Sequence, residues 1–265
     1  MNYTDIIIGI VTAILLSVAA LRKNALTVFA TITAACIVIL ISFCTSYREV
    51  IFLAVSYLVL VVIDALTEKK SEKIVADVHK KHGARTVVQL LANGGAATVA
   101  VILYKVFKNE AFLYVYVVCV IEACADSIAS DIGVLSKKPP VSILTFKRVQ
   151  TGLSGGVSLL GLSASLVGCV FMAALSLICI GFGVKNFALM AVIPFFGMIL
   201  DSVIGASLQV KYKCAKCGKY TERAEHCGEK TVYAGGIRFL DNSAVNLLTN
   251  IITGIIGYII VRAAI

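Results

Sequence analysis

Eight apolar runs, each about the length of a membrane-crossing helix, constrain this chain more than any other feature. They fall at roughly 3–21, 25–43, 49–66, 86–104, 111–130, 156–182, 187–206 and 243–261. About 20 apolar residues in a helix span the hydrocarbon, because a helix satisfies its own backbone polar groups where water cannot. Hydrophobic residues make up 59% of the chain, above the roughly 45–50% of soluble domains. The expectation is an all-α fold, a polytopic membrane helix bundle forming one domain over 1–265. The fourth and fifth runs are the least apolar. The sixth is long enough to be tilted or broken near Gly161 or Gly168. The opening "MNYTDIIIGIVTAILLSVAALRKN" has neither a basic start nor a small-residue cleavage site, and reads as a retained helix.

The net charge of +9 would suit a nucleic-acid binder, but its distribution points elsewhere. Nineteen of the 24 Lys and Arg residues fall in the first, third, fifth and seventh connections, including Lys69, Lys70, Lys73, Lys80, Lys81 and Arg85 in the third. Cytoplasmic loops of membrane proteins carry this excess. The reading is a multi-pass protein of the cell membrane with both termini outside, its working side cytoplasmic and no nucleic-acid partner.

Polar residues recur at helical spacing near that side. Asp64 and Glu68 lie four apart at the end of the third run. Arg85, Gln89 and Asn93 open the fourth, and Glu122, Asp126 and Ser130 close the fifth, with Asp131 beyond. Asp201, Gly205 and Gln209 close the seventh, while Asp241 and Asn242 lead into Asn246 and Asn250 in the eighth. Residues four apart share a helix face, and charge inside a membrane helix costs about 2.5–3.5 kcal/mol on insertion scales. A single such stripe is more simply read as a snorkelling helix end or a helix–helix hydrogen bond. Five at one side suggest convergence on a cavity. Asp and Asn oxygens there suit Mg²⁺, which takes one or two carboxylates together with phosphate oxygens. Asp126 and Asp131 are the expected metal ligands, with Glu122 and Asp201 as further catalytic candidates.

The segment "TFKRVQTGLSGGVSLLG" places Lys147 and Arg148 before Gly152, Ser154, Gly155 and Gly156 at the edge of an apolar run. Cations and close backbone N–H groups can hold phosphate at headgroup depth. The segment lacks the Gly-Lys-Ser/Thr ending of a Walker loop, and a flexible connection or close packing of small residues explains it as well. Arg85, Asn93, Asp241, Asn242 and Asn246 complete the expected phosphate- and substrate-binding set.

A second motif sits in the seventh connection, where "CAKCGKYTERAEHCGEKT" brings Cys214, Cys217, His226 and Cys227 into a loop insertion over 211–238. Three thiolates and an imidazole suit a closed structural Zn²⁺ site. Free or redox-paired thiols are the other reading, and adjacency of His226 and Cys227 counts against both binding one ion.

The blocks "GARTVVQLLANGGAA", "EACADSIASDIGVLS", "TFKRVQTGLSGGVSLLGLSAS", "DSVIGASLQ" and "FLDNSAVNLLTN", in this order, resemble the domain-of-unknown-function-92 integral membrane family. That family includes a plant phytyl-phosphate kinase and human transmembrane protein 19. The resemblance implies a membrane transferase that phosphorylates an isoprenyl monophosphate to the diphosphate, with CTP as the favoured nucleoside triphosphate. Three alternatives stand beside it: a polyprenol kinase or cytidylyltransferase of isoprenoid lipids, a transporter or scramblase, and a scaffold that recruits a partner through the cysteine loop. A transporter predicts polar residues through the full membrane depth or helices broken at midplane.

Overall fold

A computed structural model describes residues 3–75, 78 and 83–264. Lys80 and Lys81, counted among the loop cations, lie outside the described residues, as do the side chains of Lys69 and Lys73. Among the described residues there are eight α-helices: α1 (Tyr3–Arg22), α2 (Val28–Cys44), α3 (Tyr47–Val75), α4 (Val87–Phe107), α5 (Ala111–Gly133), α6 (Leu159–Cys179), α7 (Phe187–Ser207) and α8 (Asn242–Ala264). Seven include a stretch long and apolar enough to cross a membrane, and α2, with 17 residues, is a shorter apolar helix.

The helix ends explain where the sequence expectation drifted. Residues expected to open α2 instead form an extended bridge to the start of α4. The Thr27 N–H donates to the Arg85 carbonyl at 3.0 Å, and the Arg85 N–H to the Ala25 carbonyl at 2.9 Å. Thr27 then caps α2, its hydroxyl accepting from Ala30 N–H at 3.3 Å. Thr86 and Gln89 form a capping box at the start of α4, satisfying two N–H groups that no helical carbonyl can reach. Residues 156–157 pair with the chain after α5 as β2 (Gly156–Val157) against β1 (Val141–Ser142), so α6 starts only after Ser158.

α6 is unbroken. Gly161 and Gly168 serve close packing on α5: a Cβ on Gly161 would stand 2.8 Å from the Ala129 carbonyl oxygen, and one on Gly168 would stand 2.7 Å from Ile128. α5 is the hub, packed by α3, α4, α6, α7 and α8. Burial of 72% of an 18-residue apolar window within it explains how it keeps polar residues that a lipid-facing helix would not.

The odd-numbered connections gather at one end. The α1–α2 turn meets the start of α4 through the Arg85 bridge. The α7–α8 connection reaches two others: Thr221 Oγ1 donates to the Val78 carbonyl at 3.0 Å, and Glu222 accepts from Ser154 N–H at 2.9 Å. At the opposite end, Lys105 at the α4 end donates to Phe43 of α2, and Asn186 donates to Tyr114 at the start of α5. The alternation expected from the cations therefore appears as a physical separation of the two ends.

Residues 208–241 fold as a small β unit. β3 (Lys211–Lys213) lies between β4 (Tyr220–Thr221) and β7 (Val232–Gly235), and β5 (Glu225–His226) pairs with β6 (Glu229–Lys230). Its two ends are fastened to each other by Ile237 N–H to Leu208 O at 2.8 Å and Val210 N–H to Leu240 O at 2.9 Å, between the end of α7 and the start of α8.

Candidate active site between α4, α5 and α8

At the loop-rich end, the start of α4, the end of α5 and the start of α8 enclose a polar cavity of about 180 Å³. Arg85 enters from the extended bridge just ahead of α4, α4 contributes Gln89 and Asn93, α5 contributes Asp126 and Asp131, and α8 contributes Asn242 and Asn246. Each helix presents its stripe because 3.6 residues per turn return every fourth residue to one face. Asn246 Nδ2 donates to Asn93 Oδ1 at 2.9 Å, which ties α8 to α4 across the cavity wall. Arg85 and Asp131 are charge neighbours of Asp126, so one cation and two carboxylates meet in this space. The donor set fits Mg²⁺: two carboxylates line the cavity together with amide and hydroxyl oxygens, and Arg85 stands beside them to meet an anionic ligand of the ion.

Ser127, Ser130 and Ser243 also line the cavity. Ser130 belongs to a visible stripe. Ser127 lies four residues before Asp131 and Ser243 three before Asn246, so the helical spacing that reveals the others also reaches them.

Not every expected residue enters this space. Glu122 lies deeper, buried, with Asn250 Nδ2 donating to its Oε2 at 2.5 Å. It stands eleven residues before the α5 end, about 16 Å along the axis and therefore near mid-span. Asp201 on α7 is a charge neighbour of both Asp126 and Glu122, and Thr249 of α8 is its side-chain hydrogen-bond partner. Asp241 caps α8, accepting from Ala244 N–H at 2.9 Å. Asp64 and Glu68 of α3 do not line the cavity.

Lys147 and Arg148 are exposed on the α5–α6 connection, outside the cavity lining. In the glycine-rich turn, Gly156 N–H donates to Leu153 O at 3.0 Å, and Ser154 N–H donates to Glu222. Gly152 and Gly155 hold φ of +91° and +79°, a region that side chains disfavour. A Cβ on Gly155 would stand 2.3 Å from that of Ala206 on α7. At Gly155, then, absence of a side chain is explained by helix contact.

Glu222 was not singled out from the sequence. It accepts from both Ser154 N–H at 2.9 Å and Gln209 Nε2 at 2.8 Å, joining the glycine-rich turn, the end of α7 and the β unit. A lone Glu in a charged loop carries no periodic signal. In the β unit itself, the ligand atoms of Cys214, Cys217, His226 and Cys227 all lie within 4.8 Å of one another.

Fold and site together define a multi-pass membrane protein with a charged, polar cavity at one end of its helix bundle. The chain belongs to the family of integral membrane proteins DUF92, whose model matches residues 11–254. It is similar to "Protein PGR" of Arabidopsis thaliana, 29% identical over 251 residues, covering 83% of this chain and 85% of the plant protein. It is also similar to "Uncharacterized membrane protein MJ0933" of Methanocaldococcus jannaschii, 26% identical over 224 residues, covering 84% and 79%. No solved structure matches the chain.

Proposed function

We propose that this protein is a membrane phosphotransferase that moves a phosphoryl group from a nucleoside triphosphate, CTP above others, to an isoprenyl monophosphate. The observation that carries the reading is the meeting of Arg85, Asp126 and Asp131 in one cavity at an end of the membrane bundle. That position lets a lipid phosphate enter at headgroup depth while its chain stays along apolar helix faces. We place the cation-rich end in the cytoplasm, where the nucleotide is supplied.

The acceptor is a phosphate oxygen, already anionic near neutral pH. It attacks the γ-phosphorus of the nucleotide. A P–O bond forms to the lipid phosphate, the bond to the β-phosphate bridging oxygen breaks, and the nucleoside diphosphate leaves. No proton needs removing, so the main task is to bring anions together and hold them in line. Arg85 neutralises phosphate, while Asn93, Asn242 and Asn246 orient substrate oxygens. Asp126 and Asp131 would hold Mg²⁺, which supplies charge neutralisation across the transferred group.

The test combines detergent-purified protein with Mg²⁺, CTP or ATP, and geranylgeranyl phosphate. Lipid diphosphate is followed by mass spectrometry. Product from the parent and loss in folded Asp126→Ala support the proposal. Absence of product across several isoprenyl phosphates and nucleotides sinks it. Release of pyrophosphate with a nucleotidyl-lipid product assigns a cytidylyltransferase instead.

A second reading, an ion path, is favoured by one observation. Around mid-span Glu122, the buried oxygens Thr253 Oγ1 and Asn250 Oδ1 have no hydrogen-bond partner among the described residues, and Asp201 is a charge neighbour of Glu122. Glu122→Gln in proteoliposomes separates the readings. Abolished ion flux favours transport, while unchanged flux together with lipid phosphorylation leaves the enzyme.

A further inference from the structure

We propose that Cys214, Cys217, His226 and Cys227 bind a structural Zn²⁺ ion, and that this site fixes the loop through which Glu222 ties three connections together. The role is separate from phosphoryl transfer and stands whether or not the chain is a kinase.

The local fold brings the donors together from two turns. In the first, Gly218 N–H donates to Cys214 O at 2.9 Å and Cys214 N–H to Lys219 O at 3.0 Å, closing the Cys-x-x-Cys turn. Gly218 holds φ of +73°, which lets the chain double back. The second turn is the two-residue link between β5 and β6. Cys227 and Gly228 both have positive φ, +55° and +80°, the conformation that matches a tight hairpin to strand twist.

That hairpin removes the objection to adjacent ligands. In an extended strand, neighbouring side chains point to opposite faces. The left-handed conformation of Cys227 instead returns its sulfur to the His226 side, and Cys227 Sγ lies 3.2 Å from His226 Nδ1. Cys217 Sγ lies 3.5 Å from the same nitrogen. Zn–S bonds near 2.3 Å and Zn–N bonds near 2.0–2.1 Å place tetrahedral sulfur and nitrogen about 3.5 Å apart. A cluster whose donors all fall within 4.8 Å of one another has the size of a single-ion site. Three soft sulfurs and one imidazole select zinc over magnesium or calcium.

The consequence reaches Glu222 because the ligands bracket it. Cys217 precedes it by five residues and His226 follows it by four. Between them, Thr221 Oγ1 holds the Val78 carbonyl, and Glu222 receives both Ser154 and Gln209. An ion joining both ends of this stretch therefore restrains the α3–α4, α5–α6 and α7–α8 connections at once.

The experiment uses full-length protein purified in detergent under reducing conditions. Metal content is measured by mass spectrometry, with about one Zn²⁺ per chain expected. Cys217→Ser and Cys227→Ser lose the metal, while His226→Cys retains it by keeping four soft ligands. The variants are compared with the parent by gel filtration, so that loss of metal is read on folded protein. Limited trypsin digestion gives the second readout, because Lys219 and Arg223 lie in the clamped stretch. With free Zn²⁺ at a hundred times Kd, cleavage there slows about 100-fold relative to chelated protein if opening requires release of the ion. Failure of the reduced protein to bind added Zn²⁺ overturns the site. So does a Cys214–Cys217 disulfide in protein thiol-blocked at lysis, or iron in place of zinc. Zinc binding with equal cleavage in both states removes the clamp.

Discussion

The cavity between α4, α5 and α8 and the glycine-rich turn at 150–157 lie at the same end of the bundle, but their polar groups are engaged differently. In the cavity, Arg85, Asp126 and Asp131 border open space, and amides from two helices face each other across it. In the turn, Ser154 and Gly156 donate their N–H groups within the protein, and Gly155 presses against Ala206. Polar residues on a helix face can remain available to a ligand because the helix already satisfies its own backbone. A turn must satisfy its backbone by other contacts. On the proposed function, the helices would carry the chemistry and the turn the architecture.

The largest effect expected from that division is on catalysis. On the proposed function, Asp126→Asn and Asp131→Asn should each lower lipid diphosphate formation by about 100-fold or more, since each would remove a carboxylate that holds Mg²⁺. The proteins should still elute as folded material. Activity within a few-fold of the parent would remove the cavity from the reaction.

Next in size is an effect on stability. Gly155→Ala combines a backbone conformation hostile to side chains with an overlap against Ala206. A loss of about 2–3 kcal/mol is expected, read as a lowered thermal midpoint in detergent. Gly183→Ala is the control, because nothing lies within 4 Å of its added Cβ. Equal midpoints for the two variants would show that the turn does not depend on close packing. A smaller change, about 1 kcal/mol, is expected for Asn246→Ala, which removes the hydrogen bond to Asn93.

The two regions also differ in how far the sequence exposed them. The cavity was legible because Arg85, Gln89 and Asn93 repeat every four residues, as do Glu122, Asp126 and Ser130. Three-dimensional convergence needed only helices, and their existence followed from apolar length. The α3 pair, Asp64 and Glu68, has the same spacing yet does not reach the cavity, because spacing fixes a face and not its direction. In the glycine-rich turn the residue types were equally visible, but they suit phosphate binding and tight packing alike. Only the position of Ala206 separates these possibilities at Gly155. Glu222 was hidden for another reason: its partners Ser154 and Gln209 are 68 and 13 residues away, with no periodicity connecting them.

Lys147 and Arg148 provide the smallest expected effect and the sharpest test of the division. Both are exposed and outside the cavity lining. Charges in such positions act on a bound anion through solvent and are screened beyond about 8 Å at physiological ionic strength. Lys147→Ala and Arg148→Ala should therefore raise KM for the lipid phosphate by about threefold or less, with kcat nearly unchanged, and the difference should shrink as salt rises. A salt-insensitive loss in kcat would show that the cations touch the reacting phosphate during turnover. The turn would then have to move toward the cavity, breaking the Ser154–Glu222 contact that holds it in place. Glu222→Gln distinguishes the cases further: a weaker tether should raise kcat if movement limits turnover, and leave it unchanged if the turn serves only as architecture.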